Sequence, residues 1–352
     1  MKSEEIARLA GVSRSTVSRV INNYSNVPPE TREKVMKVIR DYAYEPNTSA
    51  RVLAGKGTDT LGLFLFSMHH RKNTNRVFGN NYFSPLVDAV VDAGNARGYY
   101  VLVHTLYEPA DCWRIRQTMA QKRIDGAILI GTESLDEVEK ILSEPSLPLA
   151  VMDYDPLEIN RLVPSDARIT LVNGEDQKGM EACVDYLAGL GHREIGFLDG
   201  RHTTFSGRVR SRAFKERLEF HGITPNPAFI ANGDFIGYKT EEAMERLLME
   251  KQLPTALIAA NDEMALAAMN SLKKKGLRVP GNVAVIGFDD AMASAIVRPS
   301  LTTVRVPYYA MAHQAVASLI DTLESGRTGL KEFCFPVELI IRESSGNKLL
   351  QP

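Results

Sequence analysis

The sequence predicts an α/β protein: an N-terminal all-α helix-turn-helix head, then a two-lobed α/β body with parallel sheets. Three observations predict it. The first sixty residues carry two short helical patterns joined by a Gly-containing turn, and a third amphipathic helix follows them. From Leu61 onward, short wholly apolar strands alternate with amphipathic helices, the pattern of parallel sheets covered on both faces. These strands are too many for one modest sheet, so two lobes with a cleft between them fit best.

In the head, residues 3–10 (SEEIARLA) read as a helix with Ser3 as its cap and Glu4 and Glu5 at the positive end of its dipole. Gly11 stops it, GVS makes a tight turn, and Ser13 caps a second helix over 14–22. Ile6, Leu9, Ala10, Val12, Val17 and Val20 can share one small core. A third helix, roughly 30–42, carries Val35, Ile39 and Tyr42 at i, i+4, i+7 spacing. Residues 47–54 (NTSARVLA) lie between a capping Asn47 and a stopping Gly55, and eight residues are too few for a helix stable alone in water.

In the body, strands are expected at 60–66, 99–105, 126–131, 148–153, 194–199, 256–260 and 283–288, with helices such as 84–97, 176–190, 209–221, 239–250 and 263–275 between them. Segments 301–307 and 333–342 read as late strands or crossovers between lobes. Two such lobes are the arrangement of periplasmic sugar-binding proteins. Ligands in open α/β sheets bind beyond the carboxyl ends of strands, which singles out Asp153, Asn261, Asp262, Asp289 and Asp290. His192 reads as a structural turn residue.

Composition narrows the function. Charged residues are 24% and hydrophobic ones 44% of 352 residues, an ordinary globular balance. No apolar run approaches the ~20 residues of a membrane helix, and the first residues lack the apolar core of an export signal. Cys112, Cys183 and Cys334 match no metal spacing or disulfide framework, so a cytoplasmic protein with reduced thiols, without metal or cofactor, is expected. Net charge is −1, but residues 1–60 hold ten Lys/Arg against seven Asp/Glu and the remainder thirty-two against thirty-six. A basic head on an acidic body suits a separate DNA-binding module. An enzyme is disfavoured, since there is no nucleophile elbow, phosphate cradle or paired His/Asp/Ser spacing. A plain solute-binding protein would leave the first sixty residues superfluous.

Ordered motifs make the reading specific: AGVSxxTVSRVIN, TREKV, YxPNxxAR, a hinge ending LAGK, LGHREIGFLDG, AANDEMALAAM, VPGNVAVIGFDD and LTTVRV. This set resembles the lactose-repressor/galactose-repressor family from the head to about residue 344. The resemblance implies a transcriptional repressor that binds double-stranded operator DNA and answers to a small effector, a sugar or sugar derivative. It places Arg14 and Ser15 at the variable base-reading positions and Arg19 at a more constant one, and an Arg there can grip guanine bidentately. Thr16, Ser18, Asn22 and Thr31 are then phosphate or sugar contacts. Leu53 matches a leucine that wedges between central base pairs, with Arg51 and Lys56 facing phosphate. Pro28 stands where the family usually has a capping Ser, which removes one hydroxyl contact. In the body, the family's ligand positions map onto Asp153, Arg210, Asn261 and Asp289, with Phe235 as the stacking aromatic. Tyr82 and Phe83 come from the first loop of the N-terminal lobe. The loop 67–81 is longer and more basic than usual, so it could reshape the cleft mouth or reach toward an anionic ligand, and Ile236 stands where purine-responding members carry Glu, which argues against a purine.

The domain limits follow: head 1–45, hinge 46–59, body 60–344, tail 345–352. Within the body the first lobe takes about 60–167 and 306–331, the second about 168–305 and 332–344. A single short recognition helix reads too few base pairs, so a homodimer on a pseudopalindromic site is expected. The short tail SGNKLLQP carries no leucine heptads for a tetramer. Control mainly by a protein partner is the alternative within the family.

Overall fold

The computed structural model describes residues 2–21, 24–44, 57–68, 77, 80–133, 136–145 and 147–346. The expected hinge helix at 47–54, with Arg51, Leu53 and Lys56, lies outside them, as does Asn22.

The head has three helices, α1 (Ser3–Ala10), α2 (Arg14–Ile21) and α3 (Pro29–Asp41). Lys2, not Ser3, precedes the first turn of α1, and its backbone N–H donates to the Glu5 carboxylate at 2.8 Å. Ser3 is already helical, so the acceptor at this end comes from Glu5. Gly11 ends α1 at φ 66°, where a Cβ would be strained. Ser13 Oγ then accepts the Thr16 N–H at 3.1 Å and caps α2. Ile6, Val17 and Val35 are fully buried at the centre of the head, with Ala10, Val12 and Ile39 packed around them. Leu9 and Tyr42 do not join this core, being 41% and 53% exposed. Leu9 falls on the rim of the stripe formed by Ile6, Ala7 and Ala10, and Tyr42 sits past the last turn of α3.

The body contains two six-stranded sheets. The first joins β1 (Thr60–Phe66), β2 (Tyr100–Leu106), β3 (Gly126–Ile130), β4 (Leu149–Met152), β5 (Arg168–Gly174) and β11 (Gly329–Phe335), all parallel, in the order β11-β5-β4-β3-β1-β2. The second joins β6 (Ile195–Asp199), β7 (Ile230–Asn232), β8 (Ala256–Ala259), β9 (Ala284–Asp289), β10 (Thr302–Arg305) and β12 (Glu338–Ile340), in the order β12-β10-β9-β8-β6-β7. Only β12 runs antiparallel in it, against β10. Central strands such as β3, β4 and β8 are buried along their whole length because helices cover both faces. On the first sheet α4 (Phe83–Ala96) and α13 (Tyr308–Ser325) pack one face, and α5 (Trp113–Ala120), α6 (Asp136–Ser143) and α7 (Pro156–Leu162) the other. The second lobe carries α8 (Asp176–Gly189), α9 (Phe205–Phe220), α10 (Gly237–Leu247), α11 (Asp262–Lys274) and the short α12 (Met292–Ile296).

Strand pairing moves two of the expected lobe limits. β5 pairs with β4, so residues 168–174 belong to the first lobe and the chain crosses over just after Gly174. β11 pairs with β5 as far as Phe335, so the last crossing falls between Phe335 and Glu338 rather than near 331. The segment 333–342 is therefore two strand ends in two sheets. No described helix is long and apolar enough to cross a membrane.

Candidate functional site

In the head, α2 buries Val17 and Val20 against α1 and α3 and turns Arg14, Ser15, Ser18 and Arg19 outward. Their i, i+1, i+4, i+5 spacing puts these four on one exposed face. Arg14 rests against Glu4 at 3.2 Å, an exposed ion pair that holds it only loosely. Thr16 is half-buried beside the cap, its hydroxyl 2.9 Å from Ser13 Oγ, and Thr31 is half-buried in the first turn of α3. Pro28 precedes α3 without a side-chain cap, and Pro29 opens the helix.

Between the lobes lies a cleft of about 970 Å³ of empty space, part of it open to solvent. The structure brings Tyr82, Phe83, Asp153, Arg210, Phe235, Asn261 and Asp289 together in its walls. Strand ends do most of the positioning. Asp153, Phe235 and Asp289 have φ of 60°, 61° and 120°, left-handed backbone that aims three side chains inward at a conformational cost. The tip of the Phe235 ring packs against Gly200, where any Cβ would collide with it.

Arg210, on α9, is the buried centre of the site. Its Nε donates to Asp176 at 2.9 Å, its Nη1 donates to the Ala260 carbonyl at 2.6 Å and lies 3.6 Å from Asp289. The guanidinium also stacks 3.8 Å from the Phe288 ring centroid. Burial opposes its charge, but Asp176 and Asp289 outweigh that and hold it protonated. Burial pushes the Asp289 carboxyl up against the pull of Arg210, while Tyr308 Oη donates to it at 2.7 Å. Asp153 is raised to about 6 by burial and by Asp176, against hydrogen bonds from Ser206 and the charge of Arg210. Those bonds cross the cleft, with the Ser206 N–H donating at 2.8 Å and its Oγ at 2.7 Å.

Asn261 caps α11 by accepting the Met264 N–H at 2.9 Å, and its amide donates to the Phe235 carbonyl at 3.3 Å. Tyr82 and Phe83 are set by Asn80, whose Oδ1 accepts both backbone N–H groups at 2.9 Å. Phe83 belongs equally to the core, being only 4% exposed. Of the basic loop 67–81, residues 69–76, 78 and 79 lie outside the described residues, while Asn80 and Asn81 line the cleft.

Two strand-end candidates face elsewhere. Asp262 is fully buried and accepts from Ala291 N–H, Ser294 Oγ and Thr303 Oγ1 at 2.8, 2.7 and 2.5 Å. Asp290 turns to Arg305 and Arg342 at 2.7 and 2.6 Å. His192, as a turn residue should, meets Thr255 Oγ1 at 2.9 Å. Sequence reasoning missed Asp176, Arg201, Ser206, Glu263 and Tyr308, all lining the cleft. The strand-end rule would have found Asp176 had β5 been read as a strand. Arg201 also bridges the lobes, with Nη1 3.2 Å from Glu133 and Nε 2.9 Å from Asp234. Among the described residues no group of side chains could hold a metal ion.

Two family models match this chain: "Bacterial regulatory proteins, lacI family" over residues 4–47, and "Periplasmic binding protein-like domain" over 184–345. The transcriptional repressor PurR of Haemophilus influenzae (strain PittEE) is 30% identical over 97% of each chain. A structure of the lac repressor dimer bound to operator and the anti-inducer ONPF superposes with a TM-score of 0.81 at 27% identity, covering 98% of this chain and 99% of that one. The regulator CelR in complex with cellobiose gives 0.73 at 28% identity, again over 98% and 99%. A helix-turn-helix head, a two-lobed body and these likenesses lead to one conclusion: the chain belongs to the lacI family of bacterial regulatory proteins and is a transcriptional regulator, not an enzyme.

Proposed function

We propose that this regulator is a repressor of carbohydrate-utilisation genes, which binds a pseudopalindromic operator as a homodimer and is released by a sugar or sugar derivative in the interlobe cleft. The cleft carries this reading: it gathers carboxylates, an amide, a buried guanidinium and an aromatic ring from both lobes. Sugar hydroxyls donate and accept together, and such a mixed wall meets both needs. A ligand touching both lobes binds one interlobe arrangement better than another, and only that difference can change what the head presents to DNA. The structural neighbours bound to cellobiose or to operator and anti-inducer support the same reading by likeness.

In the head, Arg14, Ser15 and Arg19 read bases, and Thr16, Ser18 and Thr31 contact the backbone. Asn22, Arg51, Leu53 and Lys56 take the roles that the family resemblance gives them. Palindromic DNA selected from a random pool, followed by mobility shifts with and without added sugars, tests the proposal. Retarded complexes that dissociate with one sugar and not with others are expected, at the mass of one dimer per duplex. A chain that selects no DNA, or a complex indifferent to every sugar, would sink it.

A further inference from the structure

The charges lining the cleft are unevenly committed. Both guanidiniums are already neutralised within the protein: Arg210 by Asp176 and Asp289, and Arg201 by Asp234 and Glu133. Both oxygens of Asp153 are taken by Ser206. Glu263 differs. It stands in the first turn of α11, two residues past Asn261 and half-buried in the cleft wall, and one of its oxygens accepts the Gly237 N–H at 2.7 Å. That bond engages one oxygen, and the ionised carboxylate keeps its other oxygen as an acceptor in the cleft wall that Glu263 lines.

An anionic ligand entering here would meet Asp153, Asp176, Glu263 and Asp289, and among the described lining residues could claim a cation only by breaking a buried ion pair. A ligand rich in hydroxyl protons meets acceptors instead. We propose that the cleft selects an uncharged polyhydroxylated ligand over its phosphorylated or carboxylated counterparts, and that Glu263 sets this selection by accepting ligand hydroxyl protons on its other oxygen. The proposal rests on the sugar reading above and adds the charge of the ligand and the residue that enforces it.

The test is calorimetry on the full chain with matched sets: glucose with glucose 6-phosphate and glucuronate, ribose with ribose 5-phosphate, and cellobiose and maltose with their 6′-phosphates. At least one neutral member should bind, with its anionic counterparts at least about tenfold weaker. Glu263→Gln keeps the shape and removes the charge. It should weaken the neutral ligand about three- to tenfold and narrow the preference to below about threefold. Glu263→Asp keeps the charge and should keep the preference, so a variant that misfolds still leaves one to read. An anionic member binding as tightly as its neutral counterpart overturns the proposal and leaves the sugar reading standing. A preference undiminished in Glu263→Gln overturns the part assigned to Glu263. A set in which nothing binds, neutral or charged, overturns the sugar reading itself.

Discussion

Arg210 holds two carboxylates and a carbonyl at once, so its removal is felt by the fold before it is felt by any ligand. Arg210→Ala leaves Asp176 and Asp289 buried without their cation, a loss of roughly 3–5 kcal/mol. Urea unfolding should show that loss, and Asp176→Asn added to it should restore part of the stability. A single variant as stable as the parent would contradict the geometry. Arg14 is the opposite case, exposed and tied only to Glu4. Arg14→Ala should leave the melting temperature alone, relax base preference at one position per half-site and cost about 1–3 kcal/mol there. Unchanged ranking of operator variants would remove its base-reading role. Asp153, Asn261 and Asp289 were legible from strand ends alone, whereas Arg210 and Phe235 needed the family resemblance. The same rule misjudged Asp262 and Asp290 because neighbouring residues at a strand end point opposite ways, and periodicity does not say which side is the cleft.

The elements read best where chemistry at their ends was explicit. Ser13 before α2 is such a signal, and the observed Ser13–Thr16 bond bears it out. Ser13→Ala should destabilise the head by about 1 kcal/mol, seen as an earlier melt of the head; an unchanged melt would mean water replaces the cap. β5 was illegible because Thr170 and Asn173 interrupt its apolar run. Both are satisfied internally, Thr170 by Ser318 Oγ at 2.8 Å and Asn173 by Tyr154. A buried strand can carry polar residues when a neighbouring element supplies their partners, and that supply is a tertiary fact. Missing β5 displaced the lobe limits and hid Asp176 with them.

Across the whole molecule, Asp153 is held out of water between the lobes by Ser206, and an opening that parts the two would return it to solvent. Its carboxyl stands at about 6 when closed, against the ordinary ~4 that solvent would restore on opening. The closed form therefore binds this proton more tightly. Its contribution to the closed state is fully present below about pH 4 and is lost as pH rises through about 6. Ligand-induced closure near pH 5.5 should take up protons, measured as a binding heat that varies with the ionisation enthalpy of the buffer. Asp153→Asn should remove that dependence. A buffer-independent heat in the parent protein would show that Asp153 does not change its surroundings on closure.

The bridge from Arg201 to Glu133 carries a further consequence, one of timing. Arg201 also holds Asp234, and Thr203 Oγ1 donates to Glu133 at 2.8 Å, so Arg201 and Thr203 of the second lobe both latch onto Glu133 of the first. A ligand that enters fully only once this door opens must wait for the latch to release by itself. The observed association rate should then climb with ligand concentration and level off at the opening frequency, rather than rise without limit. Stopped-flow fluorescence would read the plateau, and Glu133→Gln should raise it. Strictly linear rates up to saturating ligand would mean the door stands open most of the time.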